Sequence, residues 1–233
     1  MSKMVAIAQS NYIPWKGYFD LVNSVDELVL YDDMQYTRRS WRNRNLIKSP
    51  GGPVWLTIPV QVKGKYFQKI KDTVVADDKW ASDHWRSIVH NYSKAKCFSE
   101  YRHLFEELYL GSKDKPLSCI NYRFIAAICR ILGISTTISW SMDYHLAGDK
   151  TEMLVNLCKQ TSATHYLSGP AAKVYLDEEL FRRQGITVSY MDYSGYREYQ
   201  QLYPPFESNV SIIDLILNEG PDAAKYMKSF DAT

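Results

Sequence analysis

Apolar positions fall in short runs that alternate with stretches of helical period. Residues 5–9 (VAIAQ) form an apolar run ending at the turn-like Ser10-Asn11, which reads as a buried strand. Residues 17–23 (GYFDLVN) carry apolar side chains at helical spacing, and residues 27–31 (ELVLY) form a second apolar strand closed by Asp32-Asp33. This order collects polar residues just after each strand, where open α/β sheets bind their ligands. Residues 53–60 (PVWLTIPV) predict another strand, which two prolines push toward an edge or a hairpin, and Lys63-Gly64-Lys65 predicts a turn into a second extended piece.

From about 77 to 132 the pattern is helical. Asp77 or Asp78 is placed to cap WASDHWRSIVHNYSKA, residues 101–110 form another helix, and Pro116 stands in the first turn of LSCINYRFIAAICRIL, which Gly133 ends. Alternation resumes with strands at 136–140, 164–167 and 186–190 and helices at 149–160 and 170–184, and residues 210–217 and 221–228 close the chain as helices. Asp149 and Glu152 have capping-box spacing. The pattern predicts an α/β fold: a Rossmann-like three-layer sandwich with a mostly parallel sheet, residues 1–233 forming one domain with a helical insertion at about 77–133. No Pro/Gly/Ser-rich linker bounds the insertion, and no internal repeat is visible.

Composition narrows the function classes. With 28 Lys and Arg against 26 Asp and Glu the net charge is +2, so no chain-wide field favours nucleic acid, none is expected as partner, and any anion site is local. The first residues, MSKMVAIAQSNYIPW, lack the apolar core of a secretory signal, and no apolar run approaches the roughly 20 residues of a membrane span. A cytoplasmic protein is expected, and a homo-oligomer is compatible with the sequence. Cys97, Cys119, Cys129 and Cys158 have neither CxxC nor metal-type spacing and predict buried, reduced thiols. With no His-rich cluster or HExxH beside them, a structural or catalytic zinc is not expected. The unusual feature is aromatic: 18 Tyr, 6 Trp and 8 Phe, side chains suited to lining a pocket for sugars or bases, or to a Tyr-rich core.

Five constellations carry candidate chemistry. In QSNYIPWKGYFD, Gln9, Tyr12 and Trp15 surround a turn whose Gly17 opens a helix, although neither GxGxxG nor GxxxxGK occurs. The densest is DDMQYTRRSWRNR: Asp32 and Asp33 precede Gln35, Arg39, Trp41, Arg42 and Arg44, where guanidinium forks suit phosphate or carboxylate. A solvated loop of self-satisfied ion pairs is the alternative, outweighed here because a core-poor run centred on Trp41 is an odd choice for mere solubility. The third, HLAGDKTE, offers His145 and Asp149 to move a proton and Lys150 to meet an anion, with Asp149 equally suited to capping. In the fourth, HYLSGPAA, His165 and Ser168 flank a strand-to-helix turn that is no GxSxG elbow. The last, MDYSGY, places Asp192 and Tyr193 just past the final strand, ahead of a Tyr- and Pro-rich segment that serves equally well as a lid packed on its own domain. His84, His90 and His103 read as exposed or core residues.

Together QSNYIPWKGYFD, DDMQYTRRSWRNRN, VWLTIPV, GDKTEMLVNLCK, HYLSGPAAKVYL and YMDYSGYREYQQLYPPF resemble the blocks of the WbqC-like family, in order, over roughly residues 5–228. The family start is closer to QPxYxPW; Ser10 stands here in place of that Pro, leaving Gln9, Tyr12, Pro14 and Trp15 unchanged. The resemblance implies a transferase role in bacterial O-antigen or related surface-glycan biosynthesis, and it brings no family-wide catalytic set.

The resulting expectation is a transferase that places an acyl or aminoacyl group on the amino group of a nucleotide-linked sugar, from an unidentified acyl donor. Arg39, Arg42 and Arg44 would hold the diphosphate or donor carboxylate, Asp32 or Asp33 would orient the amine, and His145, His165 or Asp192 would act as base. No cofactor is expected, with a divalent metal left open. A glycosyltransferase, a nucleotidyltransferase and a non-catalytic sugar-nucleotide-binding scaffold are the alternatives. Metal dependence would favour the first, pyrophosphate release the second, and tight binding without turnover the third.

Overall fold

The computed structural model describes residues 2–230. Five short strands form one parallel sheet: β1 (Met4–Ala8), β2 (Glu27–Leu30), β5 (Thr137–Trp140), β6 (His165–Ser168) and β7 (Thr187–Tyr190), in the order β5-β2-β1-β6-β7. The period of two in β1 sends Val5 and Ile7 to one face and Ala6 to the other. Both faces are covered, which is why the strands read as apolar runs. On one side Ala6, Leu28 and Leu30 pack with helix α1 (Lys16–Asn23), helix α4 (Leu117–Leu132) and helix α7 (Ile212–Glu219). On the other, Val5, Ile7, Val29 and Tyr166 pack with helix α5 (Lys150–Gln160) and helix α6 (Glu178–Arg183). Each fully buried Leu, Ile or Phe contributes about 2 kcal/mol of hydrophobic stabilisation. The result is a Rossmann-like three-layer sandwich.

Between β2 and β5 the chain adds an antiparallel hairpin, β3 (Arg44–Ser49) with β4 (Gly52–Thr57), and the helices α2 (Lys79–Tyr92), α3 (Phe98–Leu110) and α4. Helices fill the stretch that the sequence marks as helical, and α4 packs directly on the sheet. Asp149 caps α5 as its spacing predicts: its side chain accepts from Thr151 N and Glu152 N, while Glu152 accepts from Asp149 N.

The secondary structure departs from the sequence reading in four places. Residues 44–49 form strand β3, although the charged run around them reads as a loop; Asn45 and Lys48, polar yet buried, hide the strand period. Residues 61–71 make turns and isolated bridges, Gln35 with Lys69 and Val60 with Val75, in place of a second extended piece. The span 170–184 divides into a 3-10 turn, Pro170–Val174, and α6, because Asp177 caps a new start by accepting from Glu179 N. The closing 221–228 segment is a 3-10 helix, Gly220–Tyr226. Among the cysteines, all four are free, and Cys119 is exposed where a buried thiol is expected, because it sits on the outer side of α4. Among the described residues no helix is long and apolar enough to cross a membrane.

Candidate functional site

The chain runs outward from β1 through β2 to β5 and then returns to add β6 on the other side of β1, so strand order reverses between β1 and β6. Ligands in open α/β sheets bind at this reversal, beyond the carboxyl ends of the strands. A cleft of about 660 Å³ lies there, within the range of small-molecule sites. Ile7, Ala8 and Gln9 form its floor at the end of β1, Ser168 and Gly169 the end of β6, and Lys150 and Thr151 the start of α5.

The β1–α1 loop is shaped by long-range hydrogen bonds. Ile13 adopts a left-handed backbone (φ 37°), costly for a β-branched residue, and Asn45 Nδ2 holds it by donating to the carbonyls of Tyr12 (3.1 Å) and Ile13 (2.9 Å). Tyr12 N donates to Trp41 O at 2.9 Å, which brings the arginine-rich segment against the loop. Arg42 follows at once: its guanidinium donates to Asn11 Oδ1, and its carbonyl accepts from Asn121 Nδ2 at 2.9 Å. Burial pulls the Arg42 pKa down from its ordinary value, opposed by Tyr18 and Asp32, yet a guanidinium in a protein keeps its charge.

The walls are aromatic. Trp15 meets Tyr193 edge-on at 5.2 Å and Tyr196 at 5.6 Å, which joins the β1–α1 loop to the segment after β7. Tyr18, Tyr31, Tyr166 and Tyr175 complete the lining, with Tyr166 stacked on Phe181. Among the described residues, Arg42 and Lys150 are the charged side chains of the lining, which includes neither a carboxylate nor an imidazole. The neutral polar groups are Gln9, Asn11, Thr151 and Ser168. Such a surface is chemically complementary to negative charge and to flat or ring-shaped apolar faces.

Of the residues nominated from the sequence, the cleft gathers Gln9, Trp15, Arg42, Lys150, Ser168 and Tyr193. Asp32 stands behind it, fully buried, accepting from Ser10 N at 2.9 Å and from the Ser118 hydroxyl. Burial raises its pKa, against those two bonds and the nearby Arg42. Asp33 turns away to Lys69 (3.1 Å), Lys71 (2.6 Å) and Ser141 (2.9 Å); burial is the largest influence on its pKa, but these partners together hold it below the ordinary value.

The remaining nominees lie elsewhere, each for a visible reason. Tyr12 is enclosed by Trp80, Tyr109 and Phe124 and hydrogen-bonds with His84 Nδ1 at 2.8 Å. Gln35 donates to Tyr66 O at 2.9 Å, and Arg39 is exposed on a left-handed turn (φ 54°). Trp41 and Arg44 pack on Trp55 at the hairpin, outside the cleft. His145 is exposed, its backbone tied to the Gln160 side chain. His165 opens β6 at the amino end of the sheet, opposite the cleft, hydrogen-bonded to Thr164 and Ser2. Asp192 is exposed, and bonds from Ser194 first, then Lys228, hold its pKa down at about 2.

Sequence reasoning passed over Asn11, Tyr31, Met34, Tyr166 and Tyr175. Tyr31 and Tyr166 had a signal available, since they sit at or near strand ends on the face that α5 covers. Tyr175 had none, because the break after the Pro170–Val174 turn places it. Among the described residues no group of three or more His, Cys, Asp or Glu is placed to hold a metal ion.

Fold and cleft together define a Rossmann-like α/β protein with an aromatic, cationic site at its strand-order reversal. The chain belongs to the WbqC-like protein family, whose sequence profile matches residues 9–226. It is 52% identical over 226 residues to an uncharacterized protein of Mycobacterium tuberculosis, covering 97% of this chain and 98% of that one. No solved structure matches the chain significantly.

Proposed function

We propose that the cleft binds a nucleotide-linked sugar and that the protein is a group transferase of bacterial surface-glycan biosynthesis, placing an acyl or aminoacyl group on an amino group of that sugar. One observation carries the binding half: the lining presents Arg42 and Lys150 among tyrosines and a tryptophan, with no facing carboxylate to repel an anion. In this reading Arg42, held by Asn11 and Asn121, meets the diphosphate together with Lys150. Trp15 and Tyr193 pack on the sugar or base, and Gln9 and Ser168 meet hydroxyls. The transfer half rests on the family resemblance. Acyl transfer to an amine needs a proton acceptor. The carboxylates and histidines nominated for that task do not line the cleft, so the acceptor comes from the donor molecule or from solvent.

The same lining favours a second reading, a sugar-nucleotide-binding protein without chemistry of its own. Calorimetric titration with uridine-, guanosine-, cytidine- and thymidine-diphosphate sugars, with and without a free amino group, tests both. Binding is expected for at least one nucleotide, and Arg42→Ala should weaken it by about 100-fold through loss of charged hydrogen bonds. Equal affinity in Arg42→Ala and Lys150→Ala would overturn the assignment of the cleft. Mass analysis of the bound sugar after incubation with acyl donors separates transfer from binding alone.

A further inference from the structure

Basic residues are distributed unevenly along this chain. Residues 34–71 hold nine of its 28 Lys and Arg and none of its 26 Asp and Glu, so the remainder has nineteen basic residues against all 26 acidic ones. The near-neutral total conceals a strongly basic segment on an acidic body. Exposed apolar side chains concentrate in the same segment: Trp41, Val54, Trp55, Tyr66 and Phe67 all belong to it.

The fold gathers this segment in space. Tyr36 N donates to Gln68 O at 2.9 Å, Gln35 Nε2 to Tyr66 O at 2.9 Å and Arg38 to Val62 O at 3.3 Å, which sets the 35–39 strip beside the 61–69 turns. At the tip Tyr66 is 76% and Phe67 80% exposed, their rings edge-on at 4.9 Å, flanked by exposed Lys63, Lys65, Arg38 and Arg39. Tyr36 lies within electrostatic reach of both Arg38 and Arg44, so the tip continues toward the hairpin, where the Arg44 guanidinium covers the Trp55 ring at 4.0 Å. Among the described residues the ion pairs of this segment join Lys69 and Lys71 to Asp33, while Arg38, Arg39, Lys63 and Lys65 are exposed.

We infer that this tip docks the protein on an anionic phospholipid surface. Two adjacent aromatic side chains standing out of a turn form a wedge for the headgroup region, where such rings settle, and the surrounding cations complement lipid phosphates. Wedge and basic patch combine the two terms that set interfacial binding strength, buried apolar area and electrostatic attraction to anionic lipid. Single-stranded nucleic acid is the competing polyanion, but it is bound by open ring faces on which successive bases stack. Here Tyr66 and Phe67 turn edge to face, and Arg44 occupies one face of Trp55.

The test is co-sedimentation of the full chain with vesicles of phosphatidylcholine alone and of phosphatidylcholine mixed with phosphatidylglycerol, at low and high salt. Binding to the mixed vesicles is expected, weakening with salt. Lys63→Ala with Lys65→Ala should lower partitioning by about 25-fold, about five-fold per charge, and Tyr66→Ser with Phe67→Ser by about ten-fold. All four side chains are exposed and lie outside the cleft, and circular dichroism should report unchanged folding. No binding to mixed vesicles, or binding that both double variants retain, overturns the inference. Retention of a single-stranded oligonucleotide in place of vesicles reassigns the face to nucleic acid and overturns it equally. No sugar nucleotide enters the assay, so its outcome is independent of the reading of the cleft.

Discussion

The indole of Trp15 lies directly over Gly17, where a Cβ would stand 2.3 Å from the ring. Gly17 is therefore required for close approach: it lets Trp15 fold onto the start of α1 and meet Tyr193 across the cleft.

Gly17→Ala should move Trp15 off its seat while leaving the helix sound, since alanine in a helix is favoured over glycine by about 1 kcal/mol. Melting temperature should change little, tryptophan emission should shift, and sugar-nucleotide affinity should fall by up to about ten-fold, the worth of a lost aromatic contact. Unchanged emission and affinity would show that Trp15 has another seat.

Asn121 on α4 should position the site without touching ligand. Its Nδ2 donates to Ser10 Oγ (3.0 Å) and Arg42 O (2.9 Å), joining the inserted helix to the β1–α1 loop and to the arginine-rich segment packed against it. Asn121→Ala should cost about 1–3 kcal/mol in urea denaturation, because buried partners lose their donor. It should also weaken anion binding, as Arg42 loses its backbone anchor. A stability loss with intact affinity would confine Asn121 to a structural role.

Asp32 should make stability fall as pH rises through the acid range. Burial raises its folded pKa above the ordinary value of 3.8, so between these two values the native state holds a proton that the unfolded chain has released. Stability then declines with increasing pH across that window. Asp32→Asn cannot ionise, so urea midpoints of the variant should gain on those of the natural protein as pH rises past 3.8. A difference constant with pH would contradict this.

His84 should act in the opposite sense. Burial drops its pKa from 6.5 to about 4, so on acidification the unfolded chain takes a proton that the native core refuses. Stability contributed by the neutral ring is complete above 6.5 and is lost as pH falls toward 4, by about 3 kcal/mol in all. Denaturation of His84→Gln should lack this slope between pH 6.5 and 4.

Local signals carried much of the fold. The apolar runs that became β1 and β2, the helical period of α4 with Gly133 at its end, and the Asp149–Glu152 cap depend on neighbours a few residues apart. Strand β3 was not legible, because its register depends on pairing with β4 and its buried Lys48 is satisfied by Gln201 and Pro205, more than 150 residues away.

For the site, the sequence by itself determined the chemical inventory: aromatic residues, arginines and small polar groups clustered after strands, which marked Gln9, Trp15, Arg42, Lys150, Ser168 and Tyr193. Only the tertiary structure decided which of the charged residues meet. Asp32 and Asp33 are adjacent in the chain, yet one is buried against Ser118 and the other pairs with Lys69 and Lys71, because the end of β2 turns their side chains toward different elements. His165 went to the far end of the sheet because it begins its strand, whereas Ser168, three residues later, ends that strand at the cleft. Residue type is written locally. Partner choice is a property of strand order and helix packing, and these depend on contacts between distant parts of the chain.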